Sequence, residues 1–211
     1  MFLSIDGGDG TGKSTQGRLL AEWLREAGHQ VREYRDPGTT GLGEAVREIL
    51  LQRRDLEIHR RAEMLLYMAA RSQLVEERIR PALERGEVVL CDRYLLANVV
   101  YQGHAGGLDV DELWRVGHVA TGGLSPDLTI VLDLPAEEAA GRLGGTLDRM
   151  ESQGLEFHRR VREGFLVEAN RQPEACVVID ASQDIDRVQQ QIRDAVTPLL
   201  KAAAPNGPPT S

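Results

Sequence analysis

Short apolar runs that end in polar turns alternate along the chain with stretches whose apolar positions recur every three or four residues. The runs Phe2–Asp6, Gln30–Tyr34, Val88–Cys91, Leu128–Leu134 and Val177–Asp180 have the length and content of buried strands. Helical spacing predicts helices over Ser14–Ala27, Leu42–Gln52, Leu56–Arg85, Leu95–Gln102, Asp109–Thr121, Ala136–Leu143, Gln153–Asn170 and Ile185–Ala203. In the first of these, Leu19, Leu20, Trp23, Leu24 and Ala27 form one stripe, and Gly28 stops the helix. Strands alternating with helices imply right-handed crossovers, hence a three-layer α/β fold with a five-stranded parallel sheet covered on both faces. Ligands in such sheets bind beyond the carboxyl ends of the strands. Asp6-Gly7, Arg35-Asp36, Asp92-Arg93 and Asp180 all fall at those ends and are expected to share one crevice. The periodicity lapses at Gly141–Glu151, where Gly144-Gly145 loosens the chain, and in the Pro- and Gly-rich Ala204–Ser211. We therefore expect one domain over 1–203, a lid or plain surface loop near 141–152, and a disordered tail over 204–211.

Composition narrows the function. A chain of 211 residues with 41% hydrophobic content suits a single core. A net charge of −8 argues against non-specific nucleic-acid or membrane-surface binding, so an anionic ligand must be held by a local cluster of arginines. No apolar run approaches the ~20 residues needed to span a bilayer, and the first residues enter a strand directly rather than a signal peptide. Cys91 and Cys176 sit in strand-like runs and read as buried, reduced thiols; a cytoplasmic location is expected. His29, His59, His104, His118 and His158 show no metal-ligand spacing.

The chemistry concentrates in Gly7-Gly8-Asp9-Gly10-Thr11-Gly12-Lys13-Ser14-Thr15, a complete phosphate-binding loop between a predicted strand and a predicted helix. Of the 25 basic residues only Lys13 and Lys201 are lysine. A compact ammonium reaches β- and γ-phosphates beneath a tight loop where a planar guanidinium does not fit. Inward backbone N–H groups form the anion site, and Ser14 opens the helix with its hydroxyl placed for Mg²⁺. The expected ligands are thus a nucleoside triphosphate and Mg²⁺. Asp92, at the end of Val88-Val89-Leu90-Cys91, can hold the metal shell or orient a phosphate acceptor. Arg35-Asp36-Pro37-Gly38 is a turn after the second strand. Tyr67 and Arg71 lie at i and i+4 of the long helix. They fit either stacking and edge recognition of a base or a core tyrosine beside a solvated arginine. Arg142 and Arg149 flank the lid stretch and are candidates to reach a transferring phosphoryl group.

In this order the pieces resemble the thymidylate kinase family from Phe2 to about Val196. The loop segment Phe2–Gln16, the stretch Arg35-Asp36-Pro37-Gly38-Thr39-Thr40-Gly41-Leu42-Gly43-Glu44, and Asp92-Arg93-Tyr94 followed by Tyr101-Gln102-Gly103 carry the resemblance. Pro126-Asp127-Leu128-Thr129 and Leu147-Asp148-Arg149-Met150-Glu151 extend it. It implies a P-loop kinase fold, ATP and dTMP as substrates, Mg²⁺, and a homodimer. It also implies roles. Tyr67 would stack on thymine, and Arg71 would reach its carbonyl edge. Asn98, Tyr101 and Gln102 would line the base and sugar pocket, with Tyr101 disfavouring a 2′-hydroxyl. Arg47, Arg93 and Arg35 would clamp the acceptor phosphate. Asp9 would sit near the 3′-hydroxyl and the metal, and Asp92 would hold arginine and Mg²⁺-bound water. Ala181-Ser182-Gln183 would lie beside adenine.

Several positions depart from the family pattern. Asp36 replaces glutamate, Tyr67 stands for phenylalanine, and Ala97 replaces a serine. Thr11 occupies the loop position where some members carry arginine, so the catalytic arginine is expected from the lid. The lid run is thinned to Arg142-Leu143-Gly144-Gly145, which leaves Arg142 or Arg149, with Arg149 preferred. The rival readings are a kinase for another nucleotide or nucleoside, an inactive relative, and a nucleotide switch. The last lacks an N-K-x-D element, since Asn98, Asn170 and Asn206 precede Val, Arg and Gly.

Overall fold

The computed structural model describes residues 1–53, 55–144 and 148–203. The central part of the expected lid, 145–147, and the expected tail, 204–211, lie outside the described residues. Five parallel strands, β1 (Phe2–Gly7), β2 (Val31–Arg35), β3 (Val88–Asp92), β4 (Leu128–Asp133) and β5 (Cys176–Asp180), form one sheet in the order β2-β3-β1-β4-β5. The predicted strands all appear, within a residue or two at their ends.

Strand side chains alternate between faces, and the core divides accordingly. Leu3, Ile5, Val88, Leu90, Ile130 and Leu132 point to the face covered by α1 (Lys13–Glu26) and α9 (Ile185–Ala203). Phe2, Val89, Cys91 and Val131 point to the other. That face is covered by α2 (Gly41–Leu51), α3 (Arg60–Leu74), α4 (Arg80–Glu84), α5 (Leu95–Asn98), α6 (Val110–Thr121) and α8 (Leu155–Arg171). The short α7 (Ala136–Arg142) follows β4. β1 lies between β3 and β4 and is buried along its whole length, which is why its sequence is apolar on both faces apart from Ser4 and Asp6. Burial of each core leucine or isoleucine contributes roughly 1.5–3 kcal/mol.

Two expected helices are not regular. The stretch predicted as one helix, Leu56–Arg85, begins only after an extended His59, and its later part contains a π-helical segment, Val75–Ile79. Pro81 accounts for that change. It supplies no N–H, and its ring would press on the carbonyl four residues earlier, so the backbone widens in the turn before it. A second π segment, Val99–His104, extends α5 beyond the predicted Gln102. Ala105 there donates to the carbonyl of Val100, five residues back, at 2.9 Å. The two cysteines are free thiols; Cys91 is buried, whereas Cys176 is only half-buried.

Candidate active site

The strand ends meet as expected. A cleft of about 730 Å³ runs from the phosphate loop and the β5–α9 turn to a pocket under α3 and α5. The loop is shaped by close approach: Gly10 has φ +80°, and a Cβ there would lie 2.3 Å from the carbonyl oxygen of Ala139 in α7. Gly12 (φ 94°) caps α1 without any side-chain hydrogen bond, which leaves the N–H groups of the first turn available to an anion. Lys13 is only 8% exposed. Its Nζ donates to the carbonyls of Gly8 (2.6 Å) and Gly7 (3.3 Å). Gly7 and Gly8 thus sit behind the cleft wall, while Asp9 to Thr15 form it. Burial, with Arg93 nearby, brings the Lys13 ammonium down to about 8, against the opposing pull of Asp9, Asp92 and Asp6.

That value has a measurable consequence. Nucleotide phosphates favour the charged ammonium and raise its pKa, so ATP binding above pH 8 must take up a proton. Affinity for ATP is expected to fall as pH rises from 8, by up to about tenfold per unit. Calorimetry at pH 8.5 in buffers of different ionisation enthalpy reads the uptake directly. No uptake, with flat affinity to pH 9.5, would contradict it.

At the end of β3, Arg93 adopts φ 68°, a left-handed backbone that costs a non-glycine residue on the order of 1–2 kcal/mol. The strain turns the side chain into the crevice. Its guanidinium donates to the carbonyl of Gly7 (2.8 Å), to the Asp9 carboxylate, and to the Tyr101 hydroxyl (3.2 Å). Tyr101 in turn donates to Asp9 at 2.7 Å. Edge-on packing against Phe157 and Phe165 holds its ring in place. Burial works against the charge on Asp9, but Arg93, Lys13 and the Tyr101 hydroxyl together hold its carboxyl at about 2. Both oxygens of Asp9 therefore accept hydrogen bonds from protein groups. Asp92 Oδ1 is buried without a hydrogen-bond partner among the described residues.

The turn after β2 has a cis Asp36–Pro37 bond. Arg35 and Arg47 both line the cleft there. Arg35 pairs with Glu44 at 3.0 Å, and Arg47 donates to the carbonyl of Pro37 at 3.1 Å. Tyr67, Arg71, Ala97, Asn98, Tyr101 and Gln102 wall the inner pocket. Arg71 is not a solvated arginine: it is 1% exposed. Its Nε donates to Asp36 at 2.6 Å and its Nη1 to Asn98 at 3.0 Å. Removing Asp36 would strand this buried guanidinium. Asp36→Ala is expected to cost about 3–5 kcal/mol of folding stability. Urea unfolding checks this, and a loss below about 1 kcal/mol would contradict it.

The two arginines that flank the expected lid stretch, Arg142 and Arg149, sit differently. Arg142 lines the cleft, and among the described residues its polar partner is the carbonyl of Ala181, at 3.3 Å. Arg149 is drawn away from the cleft wall: its Nε donates to the carbonyl of Leu50 (2.6 Å) and its Nη2 to Glu63. The reason is electrostatic, since Glu63 is fully buried and needs donors. Glu63 was not singled out by sequence reasoning, nor was Leu51, which lines the cleft; Asp148, Met150 and Glu151, quoted there only as part of a family-like stretch, line it too. The signal for Glu63 was present. It stands at i relative to Tyr67 at i+4 and Arg71 at i+8, one stripe of α3. Among the described residues no helix is long and apolar enough to cross a membrane.

A parallel α/β sheet with a phosphate loop at β1 and an arginine-lined cleft beyond the strand ends defines a P-loop nucleotide-binding protein of the nucleotide-kinase class. The family model for thymidylate kinase matches residues 5–192. A thymidylate kinase of Rhodopirellula baltica is 48% identical over 191 residues, covering 90% of this chain and 78% of that protein. One from an Exiguobacterium species is 45% identical over 196 residues, 92% of each chain. The crystal structure of thymidylate kinase from Ehrlichia chaffeensis superposes with a TM-score of 0.77 at 31% identity, over 93% of this chain and 98% of that one. The chain belongs to the thymidylate kinase family.

Proposed function

We propose that this chain transfers the γ-phosphoryl group of ATP to dTMP, giving ADP and dTDP. The observation that carries the reading is the continuity of the cleft: one end is the Lys13 loop, the other the Tyr67–Arg71–Gln102 pocket, with Arg35, Arg47 and Arg93 between. Two anionic nucleotides meeting head to head need that cluster of positive charge in a protein of net charge −8. Lys13 and the loop amides hold the ATP phosphates, while Arg93, fixed by Asp9 and Tyr101, aligns the acceptor phosphate with Arg35 and Arg47. The attacking oxygen is already anionic at neutral pH, so catalysis is positioning and charge stabilisation without a general base. A lid arginine meets the charge that gathers on the transferring group.

The residues fit Mg²⁺. Ser14 is exposed at the start of α1, Asp92 has its unpartnered Oδ1, and both offer the hard oxygen donors the ion prefers. Among the described residues no cluster of three or more His, Cys, Asp or Glu forms a metal cage, so nucleotide phosphates would complete the shell. Bound there, Mg²⁺ would neutralise phosphate charge.

A homodimer belongs to the same reading. α3 packs on α2 and α6, and these helices expose Leu65, Leu42 and Val119 respectively. Light scattering that returned a single-chain mass at micromolar concentration would remove it. We place the enzyme in the cytoplasm, where ATP is made and the thiols of Cys91 and Cys176 stay reduced.

The test is coupled ADP release with Mg²⁺·ATP and dTMP, dUMP, UMP, AMP or thymidine in turn. Preference for dTMP supports the proposal. Equal use of all acceptors, or a preference for UMP, AMP or thymidine, would favour a kinase with another acceptor.

A further inference from the structure

Behind the inner pocket lies a relay of buried polar groups that does not itself form the cleft wall at its far end. Arg71 Nη1 donates to Asn98 Oδ1 (3.0 Å), Asn98 Nδ2 donates to Gln102 Oε1, and Gln102 Nε2 donates to Glu63 Oε1 (2.8 Å). Glu63 also accepts from Arg60 (3.1 Å) and from Arg149 at the lid edge. Glu63 and Gln102 are 0% and 1% exposed, so water does not substitute for a missing partner.

The relay has a direction, and its two ends set it. A guanidinium can only donate, so Asn98 must turn its oxygen to Arg71. Its nitrogen then faces Gln102, which must answer with its own oxygen. The Gln102 nitrogen is left needing a pure acceptor, and an ionised carboxylate is one. Take the carboxylate away and nothing at that end favours one orientation of the Gln102 amide over the other.

Asn98, Gln102 and Arg71 line the pocket, whereas Glu63 is not part of its wall. We infer that Glu63 is a positioning residue for pyrimidine selectivity: with Arg71 setting the polarity of the two amides from one end, the Glu63 carboxylate locks it from the other and keeps the pocket matched to a base with a carbonyl acceptor and an N–H donor on adjacent ring positions. An amino-pyrimidine presents the opposite pattern at those positions and meets like against like. Because Arg149 binds the same carboxylate, the lid edge and the base-reading amides share one anchor. The inference rests on the reading of this pocket as the dTMP site.

The experiment compares kcat/KM for dTMP and dCMP in wild type and Glu63→Gln. The ratio does not depend on the fraction of folded protein. The dTMP:dCMP ratio is expected to fall about tenfold or more, the scale of one buried hydrogen bond to a charged group, chiefly through KM for dTMP. An unchanged ratio, or equal loss for both acceptors, would reduce Glu63 to a structural part and overturn the inference. A second readout is independent of turnover. In wild type the Gln102 side-chain NH₂ should give one pair of NMR signals strongly protected from solvent exchange, and in Glu63→Gln the protection should drop. Equal protection in both proteins would also overturn the inference. A wild-type protein that used neither acceptor but kept the protected amide would count against the dTMP reading and leave the relay standing.

Discussion

Lys13→Met is expected to lower kcat with ATP and dTMP by about 10²–10³-fold, the usual cost of losing one preorganised charge in a shielded site. The ammonium is nearly buried, held by the carbonyls of Gly7 and Gly8 beneath the loop that receives the phosphates. Methionine keeps most of the stem length and apolar contact, and it removes a charge whose burial is itself unfavourable, so the fold should survive. Thermal melting separates the two effects: a preserved Tm with lost turnover places the loss in chemistry. A variant that kept more than a tenth of wild-type kcat would contradict the role.

The lid gives the second large effect. Arg142→Ala is expected to lower kcat by about 10³-fold, the lower end of what an arginine at the transferring phosphoryl group contributes elsewhere. Arg142 lines the cleft, and among the described residues its polar partner is one neutral carbonyl rather than a carboxylate. Arg149, by contrast, is committed to buried Glu63 and the Leu50 carbonyl. Its replacement by alanine is expected to loosen the lid edge and raise KM for dTMP more than it lowers kcat. Rapid-quench single turnovers on both variants decide between them. A larger kcat loss in Arg149→Ala would return the catalytic role to Arg149.

The sheet was legible because parallel strands covered on both faces are continuous apolar runs, as in Val88-Val89-Leu90-Cys91. The phosphate loop was legible because its glycines and one lysine stand in a fixed order between a strand and a helix. Side chains at strand ends, such as Asp92 and Arg93, could be placed in the crevice from topology alone. What periodicity hid was local winding. It does not distinguish an α turn from the π segments at Val75–Ile79 and Val99–His104, yet the second helps bring Tyr101 and Gln102 to the cleft with Asn98. It also hid pairings between distant elements. Arg71 reads as solvated by type, and only the approach of Asp36 and Asn98 shows why it is buried. The pairing of Arg149 with Glu63, 86 residues away in sequence, was hidden in the same way.

The most direct test follows the phosphorus atom itself. Purified protein is mixed with Mg²⁺, dTMP and ATP labelled in the γ-phosphoryl group, and the products are separated after a single turnover. The label is expected in the β-position of dTDP, with unlabelled ADP formed in equal amount. Label released as inorganic phosphate at the same rate with and without dTMP, or retained in ATP, would contradict phosphoryl transfer between two nucleotides in this cleft.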